Sequence, residues 1–179
     1  MMKEICATLL TLCSTLLQSF DFEYSTDKQQ LFVRGIAECT IVVNTSVPPA
    51  KRVPVLISTA QAILESNWGE SRFAREANNF YGIIQTDPTE PHIKSLNSDV
   101  LMKMYGRKCE SVYDYVNLLN TGSHFEKFRE ERIKQVFFTR QVDYDKLIDA
   151  LEGYAEDPFY TEKLKEIILI LREDYFGGI

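Results

Sequence analysis

The sequence predicts a mainly α-helical α+β domain, and three observations carry that prediction. Apolar residues recur at helical spacing through most of residues 110–176. Residues 83–106 instead hold prolines and several β-branched residues with no helical period, so a small sheet or long loops fit only there. The chain has 179 residues, 45% of them apolar and 26% charged, which is the composition of one globular domain. At that length a fold buries about 70% of the surface the unfolded chain exposes, so no staple is required.

The elements follow in order. Residues 1–22 contain a 13-residue apolar stretch, Ile5 to Leu17. It is shorter than the roughly 20 residues of a membrane-spanning helix and has the length of a signal-peptide core. An export signal and an amphipathic first helix both fit it, and with the signal removed no stable membrane span is expected. The domain proper is placed at 23–179. Residues 22–30 read as a polar linker, and 31–44 (LFVRGIAECTIVVN) are apolar with a period that does not separate helix from strand. A proline-bracketed loop covers 47–54, and Pro54 suits the first turn of a helix. That helix spans about 54–66, with Val55, Leu56, Ile57, Ala60, Ile63 and Leu64 on one broad face, and Gly69 is a natural stop. Ser71 caps a short helix over 71–78. Further helices are expected over 110–120, 124–138, 144–155 and 160–176.

Charge and cysteines narrow the function. A formal net charge of −6 disfavours a nucleic-acid partner, which would require a basic face. Among Cys6, Cys13, Cys39 and Cys109 no metal-ligand spacing occurs, and His92 and His124 lie far apart, so no metal site is expected. Cys39 and Cys109 fit either a disulfide in an oxidising compartment or two buried thiols.

The chemistry gathers where AQAILESNWGE (60–70) stops. Glu65 falls in the last helical turn, where the carbonyl ends disfavour an anion. Trp68 is near enough to desolvate it, and both effects favour a protonated carboxyl at neutral pH. A surface glutamate would be the ordinary outcome. A protonated one is what a general acid for glycoside cleavage needs. Such hydrolysis commonly uses a second carboxyl, for which Asp87, Glu90 and Asp99 are candidates. Trp68, Tyr81 and Tyr154 are candidate walls of a sugar cleft, although most of the nine tyrosines and eleven phenylalanines must fill the core.

The run AQAILESNWGESRFAREANNFYGI (60–83) resembles the glucosaminidase family, glycoside hydrolase family 73, and within it the Bax-like branch. The family pattern is kept at Ala60, Gln61, Ala62, Glu65, Ser66, Trp68, Gly69, Ser71, Asn78, Asn79, Gly82 and Ile83. It departs at Asn67, usually glycine, and Tyr81, usually phenylalanine, and neither change removes a titrating group. YGRKCESVYDYVNLLN (105–120) and GYAEDPFYTEKLKEII (153–168) resemble two later family blocks, in the same order.

The resemblance implies a lysozyme-like α-helical domain with a small, shortened β-lobe. It implies hydrolysis of the β-1,4 bond after N-acetylglucosamine in peptidoglycan, or in another N-acetylhexosamine polysaccharide, without metal or organic cofactor. It implies an exported, periplasmic or envelope location. The family's general acid falls on Glu65. Its second acidic residue lies in the β-lobe, and the nearest match is Glu90, 25 residues further on. Tyr154 is expected to hold the substrate's acetamido group or steady an acetamido-assisted intermediate, and Asp157 to line the cleft or to cap the last helix. Asn79 fits a sugar contact or a turn, in which asparagine satisfies backbone groups. Two other readings remain: a glycan-binding scaffold without turnover, and a muramidase or lytic transglycosylase on the same fold.

Overall fold

The structure is a computed structural model describing residues 27–139 and 141–177. The apolar stretch Ile5–Leu17 lies outside the described residues, and no helix among those described is long and apolar enough to cross a membrane. The ambiguous segment 31–44 is helical. Helix α1 spans Lys28–Thr45, and Asp27 caps it by accepting the Gln29 N–H at 2.8 Å. That cap takes residues 28–30 out of the expected linker. The buried set Val33, Ile36, Ala37 and Thr40 has helical spacing and faces the core.

Helix α2 (Val55–Ser66) is the central element, with nine of its twelve residues buried. It packs between α1 and the last helix. Pro54 stands at its N-cap, where the missing N–H costs nothing, and the Pro54 carbonyl accepts from Ser58 N–H. The helix stops before Gly69. Asn67, Trp68 and Gly69 have φ of 50°, 58° and 78°, three left-handed residues in a row. Ser66 pins this turn: its hydroxyl donates to the Ala62 carbonyl at 2.5 Å and accepts from Gly69 N–H at 2.8 Å. Gly69 is needed twice over, because a Cβ there would also stand 2.6 Å from the Phe32 ring.

Ser71 caps α3 (Arg72–Ala77) by accepting from Ala74 N–H. The β part is a single hairpin, β1 (His92–Lys94) against β2 (Leu101–Lys103), antiparallel with His92 opposite Lys103. An isolated bridge joins Ile84 to Met102. The hairpin is tied to the helices through Asp114, which accepts from Lys103 Nζ and the Tyr105 hydroxyl, each at 2.7 Å.

Helix α4 (Lys108–Thr121) buries Val112, Tyr115, Val116 and Leu119. A disulfide joins its Cys109 to Cys39 of α1, which settles the two readings of this pair. Helix α5 covers Glu126–Phe138 and α6 Tyr144–Asp149. The helix expected over 144–155 is thus cut short. The chain turns at Leu151–Tyr154 with Gly153 at φ 89°, and this turn brings Tyr154 inward. Helix α7 (Tyr160–Ile170) runs on into a wider π turn at Leu171–Tyr175.

Candidate active site

Glu65 sits in the last turn of α2, half-buried. The loop after α3 passes against it: a Cβ added at Gly82 would stand 3.5 Å from Glu65 Oε2. Gly82 has φ 65°, so glycine serves both the turn and the close approach. Burial pushes the Glu65 carboxyl above its ordinary range, and a hydrogen bond from the Tyr160 hydroxyl partly opposes the shift. None of the β-lobe carboxylates contributes to it. The sequence placed the desolvating wall at Trp68. The side chains whose fields couple to Glu65 are Tyr154 and Tyr160.

Of its two readings Asn79 takes the turn, without an exposed face for a sugar. It is 2% exposed, and its amide is spent on backbone: Nδ2 donates to the Ile83 and Lys103 carbonyls at 2.8 and 3.0 Å, and Oδ1 accepts from Ile83 N–H. Those bonds fix the loop that carries Gly82 and tie it to the hairpin. Tyr81 does not line a cleft either. It is 2% exposed, its ring stacks on Tyr115 at 3.9 Å and 7°, and its hydroxyl is 2.8 Å from Ser58 Oγ. The anchored loop leaves Phe80 and Tyr81 inside and Gly82 outside.

The Tyr154 hydroxyl does not stand free toward a substrate. It donates to the Tyr81 carbonyl at 3.1 Å, while the ring stacks on Tyr160 at 5.6 Å. Tyr154 therefore holds the loop against Glu65. Asp157 lies in the turn before the last helix, whose N-cap is Phe159 without a side-chain cap bond: its carboxylate accepts from Phe159 N–H at 3.0 Å and from Lys163 Nζ at 2.5 Å, which hold it below the ordinary range. It lines a 520 Å³ depression with Asp149, Glu152, Glu156, Tyr160 and Glu162, and Glu65 is not part of that lining. Trp68 is half-buried three positions after Glu65 in the chain, its ring 6.1 Å from that of Tyr175. Trp68 has φ 58°, and a bulky side chain at positive φ stores strain.

The candidates for the second carboxyl are all on the surface. Asp87 accepts from the Thr89 N–H and hydroxyl, which holds it below the ordinary range. Asp99 pairs with Lys94 at 2.8 Å. Glu90 is exposed and lies in the turn that begins at Asp87. Sequence reasoning missed Gln61, Tyr115 and Tyr160. The available signal was Gln61, an amide on the apolar face of α2 one turn before Glu65.

A helical domain with a small antiparallel hairpin and a half-buried glutamic acid ending its central helix follows the lysozyme-like plan. The chain belongs to the glucosaminidase family, described as mannosyl-glycoprotein endo-beta-N-acetylglucosaminidase, whose model matches residues 49–172. Among its relatives is the exo-glucosaminidase LytG of Bacillus subtilis (strain 168), 27% identical over 175 residues that cover 89% of this chain and 58% of LytG. The protein bax of Escherichia coli (strain K12) is 29% identical over 115 residues, 63% of this chain and 40% of bax. The chain thus spans about half the length of these curated relatives. The catalytic domain of the autolysin Auto from Listeria monocytogenes shares the fold, with a TM-score of 0.61 at 22% identity, covering 91% of this chain and 92% of that domain.

Proposed function

We propose that this chain is an endo-β-N-acetylglucosaminidase that hydrolyses the β-1,4 bond after N-acetylglucosamine in peptidoglycan. The observation that carries the reading is Glu65, a half-buried carboxyl pushed above its ordinary range and seated against the Gly82 backbone. A carboxyl that keeps its proton near neutral pH can give it to the leaving glycosidic oxygen. The C–O bond breaks as the oxygen takes the proton, and positive charge builds on the anomeric carbon. Water then adds there and loses its proton to a carboxylate. Glu90 is the carboxylate we assign to that step, because Asp87 and Asp99 are each held by a partner. Trp68 offers a ring for stacking against the sugar. The Cys39–Cys109 disulfide supports residence outside the reducing cytoplasm, in keeping with an exported wall enzyme.

A second reading is exo-action, favoured by the name of the LytG relative. One digestion separates these. Peptidoglycan is treated with wild type and Glu65→Gln, and the fragments are weighed. Wild type is expected to leave reducing N-acetylglucosamine ends on internal fragments, and the variant to lose about a hundredfold or more in rate, the size of a general acid's contribution. Release of single terminal units indicates exo-action. Reducing N-acetylmuramic ends or 1,6-anhydro ends reassign the bond or the reaction. Glycan binding by both proteins with no cleavage by either sinks the enzyme reading.

A further inference from the structure

Behind Glu65 runs a line of buried polar side chains that the proposed reaction does not itself use. The Tyr115 hydroxyl donates to Gln61 Oε1. Gln61 Nε2 donates to the Tyr160 hydroxyl at 2.8 Å. The Tyr160 hydroxyl is in turn the hydrogen-bonding partner of the Glu65 carboxyl. Tyr115 and Gln61 are 0% exposed and Tyr160 5%. Buried polar groups at such positions cost stability unless each is paired, and here each is.

Proton counting gives the line a direction. An amide nitrogen only donates, so the Tyr160 oxygen accepts from Gln61 and keeps its single proton for Glu65. Tyr115 fixes which way the amide lies, because its proton needs Oε1. With the amide reversed, Oε1 would take the Tyr160 proton away from the acid. Tyr115 is itself held by the stack on Tyr81. The Tyr81 hydroxyl lies 2.8 Å from Ser58 Oγ, which lies 2.8 Å from Thr40 Oγ1, and Thr40 donates to the Ile36 carbonyl. Since Thr40 spends its proton on Ile36, Ser58 donates to Thr40 and Tyr81 to Ser58. Two hydroxyl chains, one from each side of the Tyr81–Tyr115 stack, thus have one proton order each.

We infer that Gln61 and Tyr115 are positioning residues for the glycosidic acid: they fix the Tyr160 hydroxyl as a donor to Glu65 and so steady the carboxylate that remains once its proton has gone. This rests on the reading of Glu65 as the acid. Burial makes Glu65 hold its proton, and the relay lets it release that proton in the bond-breaking step. Tyr154 interacts with Glu65 through its field alone, and the other neighbouring polar groups are spent elsewhere. The Tyr154 hydroxyl turns to the Tyr81 carbonyl, and Tyr81 turns to Ser58. On α1, Arg34 and Glu38 pair with each other at 3.9 Å. On α7, Lys163 pairs with Asp157 and Lys165 with Asp149. Tyr175 stands against Trp68.

The test is a carbon-13 NMR titration of the Glu65 carboxyl in the full chain, assigned by its disappearance in Glu65→Gln. It needs no turnover, so a chain that cleaves nothing would fail the proposed function and still report on the relay. Tyr160→Phe and Gln61→Leu each remove a bond that favours the ionised carboxyl. Both are expected to move its midpoint upward, Tyr115→Phe to move it less in the same direction, and the Gln61→Leu/Tyr160→Phe double variant to move it no further than Tyr160→Phe alone. On a cleavable substrate, kcat falls several-fold with KM unchanged, and the alkaline limb moves upward with the midpoint. Tyr115→Phe with Gln61→Leu removes both polar partners at nearly constant volume, and serves if the single Gln61 variant does not fold. A midpoint that moves in Tyr160→Phe and stays in every Gln61 and Tyr115 variant overturns the inference, as does one that moves in none.

Discussion

On the acid's side of the site, Glu65 is backed by Gln61, Tyr115 and Tyr160, all buried and all hydrogen-bonded in sequence. On the hairpin's side, Asp87, Glu90 and Asp99 ride on exposed turns. The difference follows from what each side has to do. A proton donor must have its titration shifted, and only the interior supplies the desolvation and fixed dipoles for that. A carboxylate that needs only to be ionised is already so in water, and a surface turn serves it. In the reaction proposed above, one side is built into the core, and the other is mounted on a lobe that the core anchors through Asn79 and Asp114.

The largest test of the comparison is the disulfide between α1 and α4, which closes the chain segment that carries both sides. Cys39 and Cys109 close a loop with a sequence separation of 70, and breaking it by Cys39→Ser/Cys109→Ser is expected to cost about 4 kcal/mol in denaturant melts, from the freedom returned to the unfolded chain. A loss well under about 1 kcal/mol would mean that the helices hold the lobe unaided. Next comes the hairpin itself. Glu90→Gln should lower kcat about a hundredfold, at the low end for a general base, while Asp87→Asn and Asp99→Asn stay close to wild type. If all three are near wild type, the substrate's own acetamido group attacks, and the two-sided picture reduces to one side. Gly69→Ala probes the acid's turn: with φ at 78° and a ring 2.6 Å from the new Cβ, unfolding experiments should read a loss of about 2 kcal/mol.

The smallest expected effect is the stability of Glu65→Gln against pH. The folded carboxyl binds its proton more tightly than the unfolded one, so the native state holds more protons in the window above the ordinary value of 4.5. Wild type therefore loses stability as pH rises through that window. The variant has no such slope, and its Tm relative to wild type should rise from pH 4 to pH 8. A flat difference would show that the carboxyl is solvated after all.

Much of the fold was legible because it rests on local pattern. The helix over 54–66, the Ser71 cap and the non-helical stretch at 83–106 each follow from period, cap and proline chemistry. Asn67 and Trp68 were not legible as left-handed residues, since nothing in their side chains demands it; the Ser66 hydroxyl and the Schellman-like bonds to Ile63 impose it. The place of Glu65 in the last turn of an apolar helix was readable from the same pattern. Tyr81 was misread as a cleft wall, and the two readings of Asn79 stayed open, because a loop residue's facing depends on how the loop is anchored, here by bonds to Lys103 and Ile83 that join residues distant in sequence or one turn apart. The relay was hidden for a related reason: Gln61 meets Tyr160 across 99 positions.

The disulfide also sorts the site by chain topology. The segment from Cys39 to Cys109 is a covalent ring, and Glu65, Gly82, Asp87, Glu90 and Asp99 all lie on it, while Tyr115, Tyr154 and Tyr160 lie outside. A protease that cuts the exposed turns between Thr86 and Val100 opens the ring without releasing a fragment. The acid stays tethered through one arm of the ring and the hairpin remnant through the other. For the exported enzyme proposed above, a nick in this exposed lobe leaves a single covalent body.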